Sequence, residues 1–313
     1  MTDFPQRGKP PWVVIVNPAS ADGRTGRRWG KTADIFRRLL PPFDAVFTET
    51  PQQAGELALR AVTRGAETIG VHGGDGTVNE VINGLIEGAA PLKETAIALL
   101  PSGTGADLVR SLGISHSPAR AAAQARSGRL RPVDVCLAEF VDLAGKPCRR
   151  YFINVADIGF GGEVVRYVNS HSKRLGGRIS FLLGLVATLF RYSNKRLRVS
   201  LDEQPPFEVQ ANAVVIANGR YFGGGMRVAP SARVDDGRLE VVVVGDVTKA
   251  EVLTNIPRLY RGTLAGHPKV QTFQAGKVLL ESAEEVLIDL DGELVGRLPV
   301  RIVTLAGKIQ IRV

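Results

Sequence analysis

The strongest constraint on the fold is a pattern that occurs three times in the first hundred residues: a short apolar run, a turn of small residues, then a helical repeat. Trp12-Val13-Val14-Ile15-Val16 ends in Asn17-Pro18-Ala19-Ser20. Thr68-Ile69-Gly70-Val71-His72 leads into Gly73-Gly74-Asp75-Gly76-Thr77, and Ala96 to Leu100 leads into Pro101-Ser102-Gly103-Thr104-Gly105. Runs without polar alternation suit strands buried on both faces. Another strand is expected at 44–47. Helices are expected at 25–40, where Trp29, Ala33, Phe36 and Leu40 share a face, at 52–63, and at 77–86, where Val78, Val81, Ile82 and Leu85 are in step. Thr77 and Glu80 fit a capping pair for that last helix. Strands alternating with helices predict a parallel α/β sheet.

Beyond about Arg131 the pattern changes. Strands are expected at 132–137, 151–155, 196–201, 209–217, 239–244, 286–290, 300–303 and 309–313, interrupted by helices near 176–191 and 249–260. This second region reads as mainly antiparallel β. A chain of 313 residues suits two domains, and 44% hydrophobic residues can fill two cores.

The turns carry the chemistry. Gly73 to Thr77 lies between a strand and a helix, at the edge of an α/β sheet where ligands bind. Glycines let backbone N–H groups approach phosphate oxygens, and a helix N-terminus favours an anion. Asp75 alone would repel a phosphate, but it makes sense as a holder of Mg²⁺. The plain alternative is a tight turn with Asp75 as an ordinary cap. In the next turn Thr104 can bond a phosphate or a base edge, and Asp107 can bind metal through water; a glycine turn with an aspartate cap reads equally well there. The turn at Asn17 to Ala21 offers Ser20 and backbone N–H groups, and by itself it reads as a loop. The segment is neither a Gly-Lys-Ser/Thr phosphate loop nor the dinucleotide G-x-G-x-x-G, because Asn79 stands at the last position.

The net charge of +9 favours anionic partners. Cys136 and Cys148 have no metal spacing and the four histidines form no helical ligand pair, which fits a reducing, cytoplasmic compartment. No signal peptide is expected at residues 1–11, and the longest apolar run, 179–190, is too short to span a bilayer. From Arg166 to Arg198 there are eight Lys or Arg and no acid (Arg166, Lys173, Arg174, Arg178, Arg191, Lys195, Arg196, Arg198), flanking that apolar run. The segment suits an anionic membrane surface or, equally, a buried helix with solvated ends. Aromatic residues are too sparse there for single-stranded nucleic acid, so no nucleic-acid partner is expected.

The three turns, in this order and spacing, resemble those of the diacylglycerol kinase and sphingosine kinase family of lipid kinases, and most closely its small bacterial members. Asn154, Gly159-Phe160-Gly161, Asn218 to Met226, Pro230, Asp235-Asp236-Gly237, His267-Pro268-Lys269-Val270 and Asp291-Gly292-Glu293 extend the likeness over nearly the whole chain. Gly-Gly-Asp-Gly-Thr is shared with NAD kinases and phosphofructokinases; the later motifs narrow the likeness to lipid kinases. The resemblance implies an NAD-kinase-like α/β nucleotide-binding domain over 1–131, rejoined by a last strand at about 304–313. It also implies a β-sandwich domain for the lipid over 132–303, with the site in a cleft between the two. ATP would be held by Asn17, Pro18, Ala19, Ser20, Ala21, Thr48, Gly74, Asp75, Gly76, Thr77, Val78, Asn79, Glu80 and Thr104. Asp75 and Asp107 would place catalytic Mg²⁺. Asp236, with the carbonyls of Arg233 and Arg238, would hold a structural Mg²⁺. Asp291 and Glu293 are the candidate general bases, Glu293 favoured; the alternative is that one carboxylate only orients the other. The lipid would be met at a membrane by a peripherally bound cytoplasmic enzyme, for which a homodimer is compatible. Outside that reading, a kinase of a soluble nucleotide or sugar phosphate, and a non-catalytic nucleotide- or membrane-binding protein, stay open.

Two positions depart from the family pattern. Its Asn before the aspartate of the second glycine turn is Ala106 here, and its Gly after Asn-Pro-x-Ser is Ala21. Neither change removes an aspartate, so activity is expected to survive.

Overall fold

The computed structural model describes residues 11–102, 106–170 and 177–313, without the side chains of 177–183. The chain divides into two units, residues 1–135 with 306–313, and residues 136–305.

In the first unit, strands β1 (Trp12–Val16), β2 (Phe43–Phe47), β3 (Thr68–His72) and β4 (Ala96–Leu99) are parallel and lie in the order β2-β1-β3-β4. The end of the last strand of the chain, β15 (Glu293–Arg312), adds to β4, with Gln310 opposite Ala96. Every residue of β1, β3 and β4 is buried; β1 and β4 are unbroken apolar runs, and β3 buries Thr68 and His72 at its ends. The connecting helices are α1 (Arg24–Leu39), α2 (Gln53–Thr63), α3 (Asp75–Glu87), α4 (Asp107–Leu112) and α5 (Pro118–Ser127). Helix α1 buries Thr25, Thr32, Ala33 and Phe36, and Phe36 packs with Val14, Val16 and Leu100. Helices α2 and α3 approach so closely that a Cβ on Gly84 would lie 2.4 Å from the Gly55 Cα. The chain leaves β1 to form β2 on one side and returns to form β3 on the other. The order therefore reverses between β1 and β3, and the turns that follow these strands open at the same edge.

The second unit is a β-sandwich. One path of antiparallel strands runs β12 (Val270–Ala275), β11 (Leu239–Val244), β10 (Ala213–Ala217), β7 (Val155–Gly159), β14 (Leu287–Leu290) and β15. From β15 a second path runs through β13 (Lys277–Glu281) and β8 (Lys195–Leu201) to β9 (Phe207–Ala211), and β5 (Leu130–Asp142) pairs with β6 (Pro147–Phe152). Alternation sets the two faces. Val214 and Ile216 enter the sandwich core with Ile158, Val241 and Leu280. Ala213 and Val215 face the other way, toward clusters that include residues of the helices α6 (Phe160–Ser170), α7 (Gly177–Arg191) and α8 (Lys249–Arg261). Among the described residues no helix is long and apolar enough to cross a membrane.

The structure corrects several sequence expectations. The run 209–217 is two strands, β9 and β10, because the buried Asn212 turns its N–H to the carbonyls of Val244 and Gly245. The run 151–155 divides between β6 and β7, because the N–H groups of Ile153, Asn154 and Val155 are drawn to the carboxylate of Asp291. The runs 300–303 and 309–313 belong to one strand, which Gly307 (φ 56°) bends but does not end. Strands β12 and β13 were not expected; β12 is buried only at its ends, Val270 and Ala275, with mostly polar residues between, and its apolar signal is weak. Helix α3 begins at Asp75, with Gly74 as its cap and no side-chain cap bond. Thr77 is thus already inside the helix, and the expected Thr77–Glu80 capping pair does not form.

Candidate functional site

Three loops meet at the carboxyl ends of β1, β3 and β4. The N–H of Asn17 donates to the carbonyl of His72 at 3.0 Å, and the N–H of Ser102 donates to the carbonyl of Gly73 at 3.0 Å. Side chains repeat the links: Asn17 Nδ2 donates to Thr77 Oγ1 at 2.9 Å, and the hydroxyls of Ser20, Thr25 and Ser102 form a chain. The turn is tight enough that a Cβ on Gly73 would lie 2.5 Å from Thr77 Oγ1. The structure thus brings Asn17, Ser20 and the Gly73–Thr77 segment to one sheet edge, at the N-terminus of α3. That is a ready anion site.

Asp75 and Asp107 are adjacent there. Asp75 Oδ2 accepts the backbone N–H of Asp107 at 2.9 Å, which ties the first turn of α3 to the start of α4. Asp107 is buried, and its Oδ1 accepts from Arg110 Nη1 at 2.5 Å. Two neighbouring carboxylates on helix N-termini fit a hard cation. Among the described residues no group of three His, Cys, Asp or Glu could hold a metal alone. A cation here would therefore complete its shell with water and phosphate oxygens, the habit of Mg²⁺.

The other expected nucleotide contacts are unequal. Pro18 and Ala19 are in the loop after β1, where the Ala19 N–H bonds Asn17 Oδ1 at 3.1 Å. Thr48 is buried just past β2 and donates its N–H to Val16. Val78 and Asn79 are buried within α3, and Asn79 Oδ1 accepts from Asn83. Glu80 Oε2 accepts the N–H of Ala54 at the start of α2, so this oxygen serves a neighbouring helix. Gly74 and Gly76 flank Asp75 in the turn. Thr104 lies outside the described residues.

Ala21 shows why glycine is the family residue at its position. Its φ is 54°, and Asp22 and Gly23 follow at 57° and 75°. An L-residue there costs roughly 1–2 kcal/mol. Ala21→Gly is expected to stabilise the first unit by about 1 kcal/mol after its own entropic cost, raising the melting temperature by roughly 2–4 °C. A calorimetric scan showing no rise would contradict this.

In the second unit, the hairpin between β14 and β15 presents Asp291 and Glu293 differently. Asp291 (φ 51°) accepts three backbone N–H groups, from Ile153 at 3.0 Å, Asn154 at 2.9 Å and Val155 at 3.0 Å. Glu293 is 43% exposed and pairs with Arg150 at 2.6 Å. In the 233–238 turn, Asp236 is exposed and its Oδ1 accepts the N–H of Arg238 at 3.0 Å. Arg233 lies 3.7 Å from Asp235. A single carboxylate on an exposed turn fits only a largely hydrated Mg²⁺.

Family models divide the chain between them. The diacylglycerol kinase catalytic domain matches residues 11–138, and the YegS C-terminal NAD kinase beta sandwich-like domain matches residues 154–313. A diacylglycerol kinase of Staphylococcus carnosus is 30% identical over 95% of this chain and 93% of its own length. The chain belongs to the diacylglycerol kinase family. A protein of Chromohalobacter salexigens named "Probable lipid kinase YegS-like" is 31% identical over 76% of this chain and 73% of its own. The fold is shared with a solved diacylglycerol kinase of Bacillus anthracis, at TM-score 0.71, 23% identity and coverage of 98% of this chain and 97% of that one. This family member is a lipid kinase by kinship, with a catalytic α/β domain and a β-sandwich domain.

Several groups of this kinase were not found from sequence. Arg110 is three residues from Asp107 on a helix, a pairing that the spacing could have suggested. Arg150 is 143 residues from Glu293, and nothing in the sequence joins them. The basic segment proves partly neutralised: Arg166 pairs with Glu163 and Glu285, Lys195 with Glu284, and Arg196 with Glu208. Lys173 and Arg174 lie outside the described residues, as does the side chain of Arg178.

The sequence reading also passed over Asp157 and Asp289, which oppose each other on β7 and β14. Burial pushes the Asp157 carboxyl up to about 7, and burial and then the Asp157 charge push Asp289 well up. For Asp157 the folded state therefore holds a proton that the unfolded chain releases above its ordinary value of 3.8. Stability from this group is lost as pH rises from about 4 to about 7. The buried His72, lowered chiefly by burial, works in the opposite direction. The diagnostic quantity is thus a difference: the melting temperature of Asp157→Asn minus that of wild type should grow by several degrees between pH 5 and pH 8. A constant difference would contradict the assignment.

Proposed function

We propose that this kinase transfers the γ-phosphate of ATP to the hydroxyl of diacylglycerol or a related lipid alcohol, with Mg²⁺. The observation that carries the reading is the junction of Asp75 and Asp107 at the glycine-lined edge of the parallel sheet. Phosphoryl transfer needs positioning and charge neutralisation more than covalent chemistry. Backbone N–H groups of the turns after β1 and β3 would hold phosphate oxygens, with the N-terminus of α3 favouring their charge. Asp75 and Asp107 would hold Mg²⁺, which when bound neutralises charge on the phosphates. Glu293 would accept the proton of the attacking hydroxyl, while Asp291 positions the hairpin by gripping the backbone at 153–155. Residues 11–135 with the end of β15 would form the nucleotide domain, and the β-sandwich would receive the lipid. Asp236, with the Arg233 and Arg238 carbonyls, would hold a structural Mg²⁺.

The lipid part of the reading is supported by a cavity of about 130 Å³ within the second unit, walled by Phe160, Val164, Leu185, Val215, Met226 and Leu259. On its helices, Phe190 is 62% exposed beside Arg191 and Lys249, and Tyr260 is 53% exposed beside Arg261. Exposed apolar side chains with basic neighbours suit peripheral binding to an anionic bilayer.

The test measures ADP release with ATP, Mg²⁺ and either diacylglycerol in mixed micelles or soluble nucleotides and sugar phosphates. Lipid-dependent release is expected, and it should vanish with chelation of the metal. Release with a soluble acceptor alone would transfer the assignment to the soluble-substrate reading. Co-sedimentation with anionic but not neutral vesicles is expected for the membrane contact.

A further inference from the structure

The surplus positive charge of this chain is not spread along it. Residues 24–39 carry six Lys or Arg and one acid, and residues 113–133 carry four Arg and no acid. Ten cations against one acid leave a surplus of nine, which equals the net charge of the whole chain. Everything outside these two stretches is therefore balanced. That includes the basic stretch at 166–198, whose cations are met by Glu163, Glu208, Glu284 and Glu285.

The fold lays the two stretches side by side. They form α1 and α5 with the chain that follows α5, and Phe36 and Leu40 join Ala122 and Ala125 in one buried cluster. With those apolar faces turned inward, Arg28, Lys31, Arg38, Arg120, Arg126 and Arg129 are all exposed. Arg28, Lys31, Ile35 and Arg38 recur at helical spacing in one stripe of α1. Ile35 packs on the cluster shared with α5, so the stripe borders the seam between the helices. Asp34, the only acid of α1, is taken by Arg37 at 3.0 Å. Beyond α5, Leu130 is 51% exposed between Arg129 and Arg131. Like charges at such spacing weaken a helix, and the core does not need them. They fit a partner that is an extended anion. Nucleic acid would call for side chains that stack on bases. The exposed residues of α1 and α5 include no aromatic, and Trp29 is half-buried against Phe36, Phe47 and His72. A leucine set between two arginines suits a bilayer instead: the apolar tip enters the lipid boundary and the guanidinium groups stay at the phosphates.

We propose that the α1–α5 face docks this kinase on an anionic bilayer, and that its own product strengthens the docking. The proposal rests on the lipid-kinase reading, and it adds a surface of the first unit to the apolar contacts proposed for the second. Phosphorylation turns a neutral lipid alcohol into a phosphomonoester with a charge of roughly −1.5 to −2. Each basic residue near an anionic surface is worth about fivefold in affinity. Turnover on a neutral bilayer therefore accelerates as product accumulates.

The test uses the full chain and vesicles of phosphatidylcholine with or without phosphatidylserine. Co-sedimentation without ATP should show wild type on the anionic vesicles, released as salt rises. Changing Arg28, Lys31, Arg120 and Arg126 together to Glu should weaken that binding at least about a hundredfold, while turnover on diacylglycerol in neutral detergent micelles holds. The same four positions changed to Gln should weaken it at least about thirtyfold, and this milder variant decides the matter where the reversed chain fails to fold. Binding within about threefold of wild type in the Gln variant, or loss of binding only when Phe190 and Tyr260 are changed to Ser, would overturn the proposal. So would tighter binding to a DNA duplex than to the vesicles through the same four residues. With ATP, Mg²⁺ and diacylglycerol in neutral vesicles, the wild-type progress curve should bend upward, and preloaded phosphatidylserine should make it straight from the start. A straight wild-type curve in neutral vesicles overturns the feedback. Vesicle binding through this face with no phosphate transfer supports the docking surface and removes the kinase reading with its feedback. Transfer in micelles with undiminished vesicle binding by the variants removes the docking surface and leaves the kinase reading standing.

Discussion

Asp75→Asn is expected to lower the turnover of lipid phosphorylation by at least about a thousandfold while leaving the melting temperature within about 1 °C of wild type. The choice of asparagine matters. Asp75 Oδ2 accepts the N–H of Asp107, so alanine would remove a helix-linking hydrogen bond along with the charge and cost roughly 1 kcal/mol. Asparagine keeps an acceptor oxygen for that N–H and removes only the charge. The loss then reports what the carboxylate does for a bound cation and the phosphates. ATP affinity measured with Mg²⁺ should fall with it, while affinity without the metal should hold or rise, because a negative group has left a phosphate site. Near wild-type turnover in Asp75→Asn would remove the metal assignment.

The second large effect separates the two carboxylates of the β14–β15 hairpin. Glu293→Gln is expected to reduce kcat by roughly 10²–10⁴, the usual worth of a positioned base, with little change in stability because the side chain is half exposed. Asp291→Ala is expected to act on the fold. It would orphan three N–H groups at the entry to β7, a cost of about 2–4 kcal/mol that should appear as a lower denaturation midpoint. Each variant is assayed for both kcat and denaturation midpoint. If Asp291→Ala melts like wild type and is inactive while Glu293→Gln remains active, the two roles are reversed.

The contrast between these hairpin residues shows where sequence reasoning runs out. From the chain alone, Asp291-Gly292-Glu293 reads as a turn with two equivalent acids. What distinguishes them is the backbone of residues 153–155 and the side chain of Arg150, both remote in sequence and brought in only by the pairing of β14 with β7. The same holds for Asp157 and Asp289, which have no local signature. The first unit was far more legible. Its strands β1 and β4 are apolar at every position, its helices are amphipathic, and the glycine turns follow directly on strands, so local pattern and tertiary role coincide. Even there the start of α3 was misread, because glycine at the cap and a charged first residue carry less local signal than Thr77 with Glu80. In the second unit the divisions at Asn154 and Asn212 escaped detection. Both arise from backbone N–H groups drawn to distant acceptors inside otherwise continuous strand-like runs.

The central claim is that phosphate moves from ATP to a lipid hydroxyl. It is tested most directly by incubating the protein with γ-labelled ATP, Mg²⁺ and a total lipid extract, partitioning the mixture between chloroform and water, and identifying the labelled product by mass. The account predicts label in the chloroform phase, on a lipid heavier than its precursor by one phosphate, and no such label with Asp75→Asn. Label confined to a water-soluble acceptor, or none transferred by the wild-type protein, would contradict it.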